Sequence, residues 1–231
     1  MDTLAQCFST VLHDIDTACV HSGRKREDVK LVAVSKTQPA LAIETLFGLG
    51  QVDFGENYVQ ELVSKAESLQ YLAIVWHFIG PIQSNKTQLI AQWAHWVHSV
   101  DRLKIAKRLS EQRPSNLPPL NVCIQVNVSN EEQKSGVAVD EVLPLALAIE
   151  QLPNLVLQGI MCVPEATENH QVLAKQFEMM KKLLIELQKN KLAVSVLSMG
   201  MSDDMALAIE HGATHVRVGS AIFGARTYHN K

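Results

Sequence analysis

Leu31-Val32-Ala33-Val34-Ser35-Lys36-Thr37 is an unbroken apolar run that stops abruptly at a serine, a lysine and a threonine. A run without polar alternation suits a strand buried on both faces, as in a parallel sheet covered by helices. In β/α proteins the chemistry gathers where such strands end. Lys36 stands there, its stem among apolar neighbours and its amine at the edge.

The same pattern recurs outward along the chain. Val- and Ile-rich runs lie at Gln51 to Gly55, Ile74 to Gly80, Trp96 to Val100, Asn121 to Val128, Leu157 to Val163, Val194 to Gly200 and His215 to Gly219. Segments of helical spacing separate them. Asp101 to Arg113, with Asp101 as a cap, is one; Asp140 to Gln151, Asn169 to Lys189 and Ser202 to His211, the last closed by Gly212, are others. Eight strand–helix units leave a closed barrel or an open doubly wound sheet, and the count favours the barrel. No G-x-G-x-x-G follows an early strand. The expected fold is α/β: one (β/α)8 TIM-type barrel domain over residues 1–231, preceded by an extra N-terminal amphipathic helix.

Composition narrows the function. Of 231 residues, 47% are hydrophobic and 19% charged, as in an ordinary chain with a sizeable core. A net charge of −3 and a pI near 6.3 give no global attraction to nucleic acid or anionic membrane. The N-terminus is broken by Asp2, His13, Asp14 and Asp16, so neither a signal peptide nor a span is expected there, and the expected location is cytoplasmic. Cys7, Cys19, Cys123 and Cys162 are far apart and His95 and His98 lack ligand spacing, so reduced thiols and no metal are expected.

A lysine at a strand end is partly desolvated, which favours the neutral amine and equips it to attack a carbonyl. On this strand alone, a lysine snorkelling to water is the commoner reading. Two loops add a phosphate site: Ser198-Met199-Gly200-Met201-Ser202 after the seventh strand, where Ser202 can cap the next helix, and Gly219-Ser220 after the eighth. Asp203 and Asp204 would repel a phosphate unless their carboxylates point away. Arg217, two residues before Gly219, shares its face and is expected inside the barrel, where it needs an acceptor or an ion-pair partner. Glu56-Asn57-Tyr58, His77 and Ser84-Asn85-Lys86 are further polar strand ends. The residues alone reach a phosphate-bearing carbonyl compound and stop there.

Five segments go further: VAVSKT at Val32 to Thr37, FGENYVQE at Phe54 to Glu61, WHFIGPIQSNK at Trp76 to Lys86, SMGMSDDM at Ser198 to Met205 and RVGSAIFGAR at Arg217 to Arg226. In this order they resemble the pyridoxal phosphate homeostasis protein family, over about residues 5–228. The resemblance implies a barrel like the N-terminal domain of alanine racemase and pyridoxal 5′-phosphate (PLP) held as a Schiff base on Lys36. It places Arg217 at the pyridine nitrogen, Ser202, Gly219 and Ser220 at the phosphate, and Asn57 beside the cofactor. Met199 and Ser220 stand where the family often has leucine and threonine. Lys134 matches a loop lysine of less certain role.

The resemblance also implies a binding protein of PLP supply, which buffers or delivers the cofactor and influences amino-acid metabolism, without an established reaction. Its expected partners are PLP and PLP-dependent apoenzymes, and its expected state is a monomer or weak dimer. An arginine at the ring nitrogen leaves that nitrogen unprotonated and the ring a poorer electron sink. The alternative is a weak PLP-dependent amino-acid racemase with Lys36 as one acid/base and Tyr58 or His77 as the second. A sugar-phosphate aldolase using Lys36 is a third reading. Racemases of this barrel type take a second acid/base group from a β-domain, for which the chain is too short.

Overall fold

The computed structural model describes residues 3–129 and 135–224. Among them, eight strands close into a parallel barrel: β1 Lys30–Val34, β2 Asp53–Glu56, β3 Val75–Phe78, β4 Trp96–Val100, β5 Leu120–Val126, β6 Leu155–Cys162, β7 Val196–Ser198 and β8 His215–Val218. Each pairs with the next, and β8 returns to β1 with Lys30 opposite His215 and Val32 opposite Arg217. The α/β barrel expected from the alternation is the fold observed. Four residues of β1, Leu31 to Val34, are buried, as a strand between barrel interior and helical layer requires.

The helices are α1 Leu4–His21, α2 Ala40–Gly48, α3 Val59–Ser68, α4 Thr87–Trp93, α5 Leu103–Glu111, α6 Val142–Glu150, α7 His170–Lys189, α8 Met205–Glu210 and α9 Ser220–Phe223. In α7 the buried Leu173, Phe177, Met180, Leu184 and Leu187 recur at three- and four-residue steps and form one stripe facing the sheet. The extra helix α1 opens on a capping box, in which Thr3 and Gln6 satisfy each other's backbone N–H. It packs against α8 and α9, covering the seam where β8 meets β1.

Two local expectations are corrected. Asp101 does not cap α5: the cap position is Arg102, without a side-chain cap bond, and the Asp101 carboxylate pairs with the Arg102 guanidinium at 2.6 Å. Ser202 does not cap α8, which starts later behind Asp204, again without a side-chain cap bond. Trp96 opens β4 and faces the barrel interior. It stacks on His77 inside the barrel, ring centroids 5.6 Å apart and 11° between planes.

Candidate functional site

At the C-terminal mouth a cleft of about 340 Å³ is lined by Lys36, Asn57, Ser202, Arg217, Gly219 and Ser220, together with Val34, Ile79, Val163 and Asp203, an acid that the sequence placed away from a phosphate and that Lys36 and Arg217 outnumber here. All six residues that the resemblance assigned to PLP thus share one cavity, brought together from β8 and the loops after β1, β2, β7 and β8. A larger groove of about 600 Å³ between α1 and α8 carries Asp14, Asp203 and Glu210 and no lysine or arginine. That charge is wrong for a phosphate. Lys134 lies outside the described residues.

Lys36 follows β1 directly, and the backbone on both sides of it is tied down. Lys65 of α3, almost fully buried, donates to the Ser35 carbonyl at 2.8 Å, to Glu56 Oε1 at 2.8 Å and to Glu61 Oε2 at 2.7 Å. The same Glu61 oxygen accepts the Thr37 N–H at 2.7 Å, and Ser35 Oγ donates to Glu56 Oε1 at 2.7 Å. Thr37 has φ +65°, a left-handed conformation that is costly for a β-branched residue and persists only where surroundings enforce it. Burial pushes the Glu56 carboxyl above its ordinary range, while Lys65 and Ser35 pull it back.

Asn57 is fixed by a close approach. A Cβ on Gly80 would stand 2.0 Å from the Asn57 carbonyl oxygen, so only glycine allows the β3 loop to lie against this backbone. Asn57 Oδ1 is buried and has no hydrogen-bond partner among the described residues.

At the other wall, Gly200 has φ +95°, and its carbonyl accepts the Arg217 N–H at 2.9 Å. Asp204 turns back to accept the Met201 N–H at 2.6 Å, which occupies one of its carboxylate oxygens in the loop itself. Ser202 Oγ accepts from Ser220 Oγ–H at 3.0 Å and from the Ala221 N–H at 3.4 Å, so both loops meet at two hydroxyls.

Arg217 is buried, 5% exposed, and points inward as strand alternation requires. It donates from Nη1 to Ser198 Oγ and from Nη2 to the Cys162 carbonyl, each at 2.8 Å, and these acceptors are neutral rather than carboxylate. Below it His98 Nδ1 lies 2.7 Å from Ser198 Oγ, His77 Nδ1 lies 2.9 Å from His98 Nε2, and His77 Nε2 lies 2.9 Å from Asp53 Oδ1. Lys30 closes the series on Asp53 at 3.0 Å. His77, read from sequence as a strand-end candidate, is therefore a fully buried residue of the interior and does not line the cleft. Burial drives both rings toward the neutral form, His98 strongly so.

Sequence reading missed Lys65, Glu61 and Asp53 as parts of the site, and placed Ser198 in the phosphate loop where the structure sets it against Arg217 and His98. Lys65 left a trace: it falls on the buried face of α3 with Leu62 and Ala66, an unusual place for a lysine without a partner.

The profile of the alanine racemase N-terminal domain family matches residues 11–227. A protein of Pseudomonas aeruginosa named pyridoxal phosphate homeostasis protein is 53% identical over 228 residues, 99% of this chain and 98% of its own. The chain belongs to the pyridoxal phosphate homeostasis protein family. A Haemophilus influenzae member of the family is 50% identical, covering 96% of this chain and 95% of its own. PipY of Synechococcus elongatus, in a structure with PLP bound, superimposes with a TM-score of 0.80 at 31% identity, covering 91% of this chain and all of PipY. The resemblance read from the five motifs is thus to the family shown here. No helix among the described residues is long and apolar enough to cross a membrane.

Proposed function

We propose that this chain binds PLP in the mouth cleft, joined covalently to Lys36, and acts in PLP homeostasis as a carrier that buffers or delivers the cofactor. The convergence of Lys36, Asn57, Ser202, Arg217, Gly219 and Ser220 on one cleft carries this reading, in a chain similar to a relative whose structure holds PLP. The lining suits a flat phosphorylated aldehyde. It offers an amine, two hydroxyls at one wall, a buried guanidinium, and in Asn57 Oδ1 a buried acceptor without a donor among the described residues.

Bound there, PLP supplies an aldehyde carbon and an electron-withdrawing ring. Lys36 Nζ provides the nucleophile, on backbone held by Lys65 and Glu61. Ser202, Ser220 and the backbone at Gly219 hold the phosphate. Arg217 donates toward the ring nitrogen and keeps its proton, so it does not strengthen the ring as an electron sink. The carrier reading is favoured over the racemase because neither Tyr58, 53% exposed, nor the buried His77 lines the cleft. PLP-dependent apoenzymes of the cytoplasm are the recipients in this reading, met by a monomer or weak dimer.

Borohydride reduction of the protein with PLP, followed by peptide mass mapping, tests the site. A pyridoxyl adduct on Lys36 that is lost in Lys36→Ala is expected; no adduct, or one scattered over surface lysines, would refute it. Fast Lys36-dependent exchange of amino-acid α-protons into deuterated water would overturn the carrier-only view.

A further inference from the structure

The side chains beneath Arg217 form a series whose hydrogen-bond direction is set by its two ends. A guanidinium only donates, so Ser198 Oγ accepts from Arg217 Nη1 and directs its own hydrogen to His98 Nδ1. At the far end an ionised Asp53 only accepts, and it takes both the Lys30 ammonium and His77 Nε2–H. With both rings neutral, one arrangement then remains between them: His98 Nε2–H donates to an unprotonated His77 Nδ1.

We propose that Asp53, His77, His98 and Ser198 are positioning residues for Arg217, a one-way series of donors that sets the rotation of the guanidinium and hence which of its N–H groups face the cleft. The Cys162 carbonyl takes the second Nη and completes the hold. Both rings and Ser198 are fully buried, so water does not compete for these bonds. The groups around them are Lys30 of β1, Asp53 of β2, Cys123 of β5, Cys162 of β6, His215 and Arg217 of β8, and Asp204. Burial lowers both histidine pKa values, and this neutrality is what the arrangement requires. A protonated His77 would reverse the ring-to-ring bond and place a His98 Nδ1–H against a hydroxyl already accepting from Arg217.

The inference rests on the PLP reading for what Arg217 meets in the cleft, but the series itself needs no ligand. Nitrogen-15 NMR of the histidine rings in ligand-free protein is the first test, with His77 and His98 both expected as neutral Nε2–H tautomers at pH 7.5. A His98 that carries its proton on Nδ1, or is doubly protonated, would overturn the proposal whatever PLP does. Ser198→Ala then cuts the series at Arg217. The PLP adduct should remain on Lys36, PLP should bind about tenfold more weakly, and its absorption maximum should move; Ser198→Thr should restore both. Unchanged affinity and spectrum in Ser198→Ala would refute the positioning role. If the wild-type protein forms no Lys36 adduct, the PLP reading fails, and the tautomers alone decide for or against the series.

Discussion

Lys36 owes its place to residues that never reach the cleft. Lys65→Met would leave the wholly buried Glu56 without its cation, and breaking such a pair costs about 3–5 kcal/mol, measurable as a lower urea midpoint. The cysteines offer a second check at this scale. Cys123 and Cys162 are buried, their thiols pushed up to about 12 by desolvation, and Cys19 is buried and raised as well. In native protein at pH 8 a thiol reagent should modify Cys7 rapidly and these three only on unfolding; quick loss of all four would contradict the packing. Lys36 and Arg217 were legible in the sequence because a basic residue at or near the end of an apolar strand is conspicuous. Lys65 and Asp53 were not, nor were the partners of Ser198, because these roles lie in contacts between distant segments. His98 and Ser198 are 100 residues apart, and no spacing rule joins them.

Strands were easier to read than the ends of helices. Trp96 to Val100 coincides with β4, whereas Val194 to Gly200 shrinks to Val196–Ser198; Met199 and Gly200 still bond to β8, but Gly200, at φ +95°, turns the chain into the mouth loop. Both misread caps, Asp101 and Ser202, are polar residues that found other partners instead: the guanidinium of the adjacent Arg102 for one and the loop after β8 for the other. Side-chain chemistry alone does not rank a cap against such a partner. Loop packing gives a sharp prediction at Gly80. Gly80→Ala would drive a methyl into the Asn57 carbonyl, forcing the loops after β2 and β3 apart. A loss of about 1–3 kcal/mol in stability is expected, accompanied by weaker PLP binding by absorbance titration. Wild-type affinity and stability in this variant would show that the two loops yield freely.

Taken whole, the barrel carries histidines that it cannot easily protonate. Unfolded histidine titrates near pH 6.5; in the fold, burial lowers His77 and His98, and His215 falls to about 3 for the same reason. Below about pH 6.5 the unfolded chain therefore takes up protons that the folded one refuses. Stability present above that pH should be lost progressively toward pH 3, with His215 contributing on the order of a few kcal/mol. Asp53 acts lower: burial raises it, but the His77 bond and Lys30 outweigh that and depress it, so its share disappears only as pH falls through the acid range below its ordinary value. Urea midpoints between pH 7.5 and 4.5 check the trend, and a flat profile would be evidence against neutral buried rings. The packed interior has one more consequence. With Arg217, His98, His77 and Trp96 stacked beneath the cleft, the barrel is a vessel stoppered at its base. In the carrier reading proposed above, PLP that enters by the rim would also leave by the rim, so loading and hand-off would compete for one doorway.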